Sequence, residues 1–155
     1  MNYLTHQLLN PQEINLLKEN LTLKDLPWED GKKTAGSHAA KVKNNLQLDR
    51  SSNISKKYTE LIEKKILKND LIKSFALPKR IHGTMFSKSL QGMKYGRHID
   101  NAFMSSGRAD LSFTIFLNEK DKYSGGELLI EGLNSEDKFK LDSGCLLYTS
   151  PSPRD

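Results

Sequence analysis

The hydrophobic pattern of this chain changes period at Pro78, and that switch limits the architectures open to it. Before Pro78 apolar residues recur at helical spacing; after it they fall into short runs separated by glycines and polar turns. Asn10-Pro11-Gln12-Glu13 opens a first helix, with Asn10 as cap, Pro11 at the first helical position and Glu13 reaching back. Ile14, Leu17 and Leu21 then share one of its faces. Ser51-Ser52 opens a second helix, whose stripe of Ile54, Tyr58, Leu61 and Ile62 continues toward Phe75 until Pro78 closes it. Around these helices, residues 3–9 read as an opening strand, 28–36 as a turn or hairpin region, and 42–48 as a returning strand.

Beyond Pro78 the strand-like runs are 81–87, 94–99, 111–117 and 127–131, and Ser124-Gly125-Gly126 carries a hairpin signal. In 111–117, Leu111, Phe113, Ile115 and Leu117 alternate with Ser112, Thr114 and Phe116. One face is suited to packing on helices, the other to lining a pocket with hydroxyls. Helices first and antiparallel strands later predict an α+β chain, a sheet sandwich or barrel backed by helices. Residues 145–155 break this texture: Thr149-Ser150-Pro151-Ser152-Pro153-Arg154-Asp155 resembles translated read-through more than a closing strand. The expected organisation is therefore a supporting region at 1–77, a partial core at 78–144 and a non-native tail at 145–155.

With 155 residues the chain has room for one domain with a real core. Its single cysteine, Cys145, excludes an internal disulfide, so no oxidising compartment is required. Met1 to Asn10 shows no cationic segment followed by an apolar run, and no stretch approaches the ~20 apolar residues that span a bilayer. A cytoplasmic location without a membrane partner is the expectation. The net charge of +5 comes from dispersed lysines, with runs at Lys32-Lys33, Lys56-Lys57 and Lys64-Lys65. These read as solvated faces that favour acidic partners; the basic stripe with interleaved aromatics of a nucleic-acid binder is missing.

The candidate chemistry lies in His98-Ile99-Asp100. In a strand, period-two alternation puts the imidazole and the carboxylate on one side. Such a pair, joined by a distant His, forms the facial triad that holds non-haem Fe(II) and leaves positions open. Alone the pair is weakly specific, since a surface His beside a turn Asp gives the same letters. No His follows His98 in the sequence. His6 near the terminus, His38 in a polar loop and His82 on a strand-like run read as surface or satisfied histidines. Asp110 and Glu127 are metal-capable but read as strand-end residues, and Cys145 receives no role.

Several motifs surround the pair in order: Tyr95-Gly96-Arg97-His98-Ile99-Asp100, Arg108-Ala109-Asp110-Leu111-Ser112, Phe116-Leu117 and Gly125-Gly126-Glu127-Leu128. Trp28, Asp30-Gly31 and Lys41-Val42-Lys43-Asn44-Asn45 precede them. Together, over residues 3–144, they resemble the PKHD-type hydroxylases, of the prolyl-hydroxylase-like branch of 2-oxoglutarate- and Fe(II)-dependent oxygenases. The resemblance implies a double-stranded β-helix (jelly roll), here incomplete at its C-terminus, with His98 and Asp100 as iron ligands. It implies Fe(II), 2-oxoglutarate and L-ascorbate as cofactors, O2 as cosubstrate, and a peptidyl or small-molecule substrate. It also implies a later His and then an Arg for the distal carboxylate of 2-oxoglutarate, which no residue here matches; the chain as it stands is expected to be inactive. A family Tyr on the strand before the His-x-Asp is absent from Phe86-Ser87-Lys88-Ser89, with Ser89 the replacement. Thr114 faces the cosubstrate if the alternation of its strand holds. Two rival readings remain open: a non-catalytic jelly-roll binding module, and a basic adaptor that binds acidic partners through its lysine faces.

Overall fold

The computed structural model describes residues 3–101, 103–104, 107–132 and 134–149. It is a mixed helix and sheet structure whose sheet pairings are all antiparallel. It divides into two compact units, Met1–Lys18 with Ala102–Asp155, and Glu19–Asn101. Among the described residues no helix is long and apolar enough to cross a membrane.

The first unit is organised by a three-stranded sheet in which Cys145–Thr149 lies between Tyr3–Gln7 and Ser112–Ile115. Tyr3 pairs with Thr149 and Gln7 with Cys145 on one side, Leu146 with Ile115 and Thr149 with Ser112 on the other. The expected non-native tail begins at Cys145; residues 145–149 of it pair in this sheet. Leu146 and Leu147 are fully buried and Tyr148 nearly so, and burial pushes the Tyr148 phenol up to about 12. Their apolar surface supplies what a middle strand needs, two covered faces. The remaining residues of the expected tail, 150–155, lie outside the described residues. Leu147 packs with Phe116 and Phe139 in a cluster flanked by Leu128, Ile130 and Leu141. Phe116, expected on the hydroxyl-bearing face of its run, is thus a core residue. The Tyr3 and Phe139 rings pack nearly perpendicular, with centroids 4.9 Å apart.

Leu128–Glu131 forms a hairpin with Glu136–Phe139. Ser124-Gly125-Gly126 therefore does not join two strands as expected; it is a turn that follows a short 3-10 segment, Lys120–Lys122, with Gly125 and Gly126 at φ of 70° and 74°. At the helix Pro11–Leu21 the capping box is complete. Asn10 N donates to Glu13 Oε2 and Glu13 N donates to Asn10 Oδ1, both at 2.9 Å.

Gly144 fastens the start of the middle strand. Its carbonyl accepts from the Leu8 and Leu9 amides at 3.0 and 3.1 Å, and its own amide donates to Phe116 O at 2.7 Å. Its φ is +85°, and a Cβ there would collide with the Leu9 carbonyl oxygen and the Gln7 side-chain amide. Gly144→Ala is therefore expected to lower stability by about 1–3 kcal/mol through backbone strain. Denaturant melts read this directly, and an unchanged midpoint would refute it.

In the second unit Leu46–Leu48 lies between Trp28–Asp30 and Ser87–Lys88, and a separate two-stranded pair joins Lys43–Asn44 to Lys94–Tyr95. Residues 28–36, expected as a turn or hairpin region, open with the strand Trp28–Asp30, followed by the 3-10 segment Gly31–Thr34. The expected strand at 42–48 is interrupted at Asn45, and 81–87 and 94–99 contract to Ser87–Lys88 and Lys94–Tyr95. The expected long helix is two, Asn53–Lys68 and Asp70–Ala76. Asn69 breaks it by leaving helical angles, so that its Oδ1 accepts from the Ile72 amide at 3.0 Å. Ser52 caps the first of the two, and Leu77 ends the second in the left-handed region. Leu48, Tyr58, Ile62, Ile66, Ile72 and Phe86 are the buried apolar residues of this unit, with Ser55 buried on the same helix.

Candidate metal centre

The candidate site begins where the strand Lys94–Tyr95 ends. Tyr95 pairs with Lys43, and the Gly96 amide donates to Val42 O at 2.8 Å. A Cβ on Gly96 would stand 3.0 Å from the Val42 Cβ, so this close approach favours glycine. His98 and Asp100 follow outside any strand, contrary to the expectation of strand alternation. Irregular backbone after a bend at Arg97 holds them together instead. The His98 ring lies on the Tyr95 ring, with centroids 3.7 Å apart and planes 10° from parallel. His98 Nδ1 is 2.8 Å from Gly96 O, and His98 Nε2 is 3.3 Å from Asp100 Oδ1.

This arrangement fixes the tautomer. A carbonyl oxygen only accepts, so Nδ1 carries the proton and donates to Gly96 O. Nε2 then has two options: it takes a second proton and donates to Asp100, or it directs its lone pair toward the space the carboxylate also faces. The second option is the donor set of a metal site, in which the non-ligating nitrogen is held by a carbonyl. Two ligands about 2.1 Å from one ion and at right angles stand roughly 3 Å apart. The observed 3.3 Å fits that span.

Without an ion the Asp100 hydrogen bond favours the first option. The hydrogen bond to Asp100 raises the His98 pKa above its ordinary value, with burial opposing, the Gly96 carbonyl assisting and the Lys43 charge opposing. A raised folded value means that the pair stabilises the fold fully below the unfolded pKa of about 6.5, and that this contribution fades as pH rises through the folded value. Asp100→Asn is expected to move the His98 titration downward, as followed by NMR of the ring protons. A titration that stays in place would show that Asp100 does not hold the imidazolium.

Two residues the sequence reading passed over shape the site: Tyr95, which the motif contained without a role, and Lys43. Lys43 is buried, its Nζ lies 4.8 Å from the centroid of the Tyr95 ring, and it donates to Thr34 Oγ1 at 3.1 Å. Burial lowers its pKa, with the Asp30 charge opposing. The signal for both was the pairing of 43 with 95, which local pattern does not carry.

The remaining candidates stand as follows. His6 is on the strand Tyr3–Gln7 opposite Leu146, and His38 is exposed in a four-residue helix, Ser37–Ala40, not in a loop. His82 is in a segment without strand pairing. Asp110 Oδ1 pairs with Arg108 Nε at 2.7 Å, and Glu127, Ser89 and Thr114 are exposed. Among the described residues no three His, Cys, Asp or Glu side chains gather closely enough to hold a metal by themselves.

No family model matches the chain. Individual relatives do. A PKHD-type hydroxylase of Prochlorococcus marinus strain MIT 9215 is 88% identical over 151 residues, covering 97% of this chain and 68% of the relative. PKHD-type hydroxylases of strains MIT 9301 and NATL2A are 64% and 51% identical, again over 97% of this chain and 68% of their own lengths. An alignment covering 97% of a 155-residue chain leaves too few residues outside to exclude Cys145–Thr149. The strand that the fold places at the centre of its sheet thus lies within the aligned stretch.

Proposed function

The chain belongs to the PKHD-type hydroxylases, and from that premise we propose that it is the larger part of a 2-oxoglutarate- and Fe(II)-dependent dioxygenase that hydroxylates a peptidyl or small-molecule substrate. His98 Nε2 and Asp100 Oδ1 supply two of the iron ligands. The observation that carries this reading is the locked imidazole: Nδ1 is occupied by Gly96 O, so Nε2 and the Asp100 oxygen face a common space at 3.3 Å. The bound metal supplies oxygen activation, coupled to oxidative decarboxylation of 2-oxoglutarate.

The protein's own residues do the rest. Gly96 O fixes the tautomer, and the stacked Tyr95 ring fixes the plane of the imidazole, so that the ligand is set before metal arrives. Lys43 places positive charge near His98 and opposes its protonation, against the stronger effect of the Asp100 hydrogen bond that raises the His98 pKa. In this reading the third ligand and the Arg that pairs with the distal carboxylate of 2-oxoglutarate come from later strands of a double-stranded β-helix. The chain spans 68% of the relatives' length, so their remaining third has room for those strands. L-ascorbate is the expected reductant that keeps the iron ferrous.

The test joins the C-terminal third of the strain MIT 9215 relative to this chain and measures succinate formation from 2-oxoglutarate. Formation that needs Fe(II) and disappears with His98→Ala is the expected result. Turnover that survives both His98→Ala and Asp100→Ala would overturn the assignment.

A further inference from the structure

Beside the candidate metal centre, a concavity of about 550 Å³ is lined by Lys32, Lys41, Lys43 and Lys94, with Val42 and Gly96 among its other walls. That volume lies within the roughly 300–1,000 Å³ typical of ligand pockets. No carboxylate is among its lining residues; Asp30, whose charge acts on Lys43, caps the Lys32 amide at 2.9 Å. The two-stranded pair explains the gathering of charge. Lys43 and Lys94 come from facing strands, and Lys32 and Lys41 from the segments that precede them. Four lysines on one concave wall with no carboxylate in the lining repel one another, and a bound anion relieves that repulsion.

The concavity also adjoins the candidate metal ligands. Gly96 lines it and its carbonyl accepts a hydrogen bond from His98 Nδ1, while Lys43 lines it and lies over the ring on which His98 stacks. We propose that this lysine-lined concavity docks an acidic peptide segment, and that it steers carboxylate-bearing protein substrates toward His98 and Asp100. The word substrate rests on the hydroxylase reading above; the docking of acidic peptide does not. Carboxylates suit the wall better than nucleic acid. Lysines are point charges on flexible stems, and the lining offers Val42 but no aromatic face on which a base stacks.

The experiment uses a fluorescein-labelled glutamate hexapeptide, titrated by anisotropy at low salt into the metal-free chain. The expected result is saturable, salt-sensitive binding that weakens about fivefold to tenfold in Lys41→Gln/Lys94→Gln, a pair of exposed residues, and returns in Lys41→Arg/Lys94→Arg. Lys65→Gln/Lys68→Gln, with the same charge change on the helix Asn53–Lys68, should bind as the parent does. Absence of binding by the parent overturns the proposal, as does equal weakening in both Gln pairs, which would mean net charge alone. A labelled thymidylate oligomer of matched charge that binds more tightly through the same lysines also overturns it. Because no iron is present, failure here leaves the metal reading untouched. Likewise, a His98→Ala variant that loses metal but keeps the peptide separates the two.

Discussion

Truncation after Gly144 is expected to unfold the unit formed by Met1–Lys18 and Ala102–Asp155. The cut removes Cys145–Thr149, the strand that both Tyr3–Gln7 and Ser112–Ile115 need as their partner. Leu146 and Leu147 at 0% exposure and Tyr148 at 4% leave with it. Trimming one buried leucine to alanine costs about 2–5 kcal/mol, and larger aromatic truncations cost as much. Losing three such side chains together therefore matches or exceeds the roughly 5–15 kcal/mol that holds an ordinary domain folded. The two orphaned strands would also present unpaired edges, which favours aggregation. Hydrogen exchange at the amides of Tyr3–Gln7 reports on this unit specifically, and protection there should vanish. Truncation after Thr149 is the control that removes only the terminal residues. The single change Leu147→Ala is the milder form, about 2–5 kcal/mol, because it opens the cluster with Phe116 and Phe139. A melting midpoint unaffected by the cut after Gly144 would mean that the strand carries no stability.

That strand also shows where sequence reasoning ran out. Leu146-Leu147-Tyr148 has strand character, but the run from Thr149 to Asp155 that follows resembles translated read-through. Its partner is near the opposite terminus: Cys145 Sγ reaches Gln7 Oε1 across 138 positions. No local window contains that information. Local devices were readable for the opposite reason. The capping box at Asn10 and Glu13 needs only four consecutive residues, and both of its hydrogen bonds are present. Asn69 was missed although its cap is equally local, because the apolar stripe runs on across it and the period alone does not announce a break. At the candidate site the spacing of His98 and Asp100 pointed to a meeting of the two side chains, but through strand alternation, whereas they meet in irregular backbone with the imidazole held on Gly96 O. Lys43 entered the site only through its register with Tyr95, a pairing across 52 positions that the lysine runs did not disclose.

His98→Ala is expected to weaken Fe(II) or Mn(II) binding by more than about 100-fold in the chain completed by its relative's C-terminal third. Outer partners of a metal ligand typically change affinity by roughly 10–100-fold, and removing the ligand itself exceeds that range. Asp100→Ala should fall in the same class. Tyr95→Ala should lose about tenfold, since it frees the imidazole plane without removing a donor, and this ordering separates ligands from positioning residues. The pH dependence follows from the same geometry. Metal requires Nε2 without its proton, and Asp100 raises the pKa of His98, so affinity should decline as pH falls through that raised value. Asp100→Asn should shift the decline to lower pH while lowering the affinity at neutral pH, because it removes both the charge that retains the proton and the one that retains the ion. Anaerobic titration with Mn(II), followed by electron paramagnetic resonance, measures each of these. Equal affinities in the parent and in His98→Ala would place the metal elsewhere. A Tyr95→Ala loss as large as that of His98→Ala would instead make the stacked ring, and not the donor pair, the element on which the site depends.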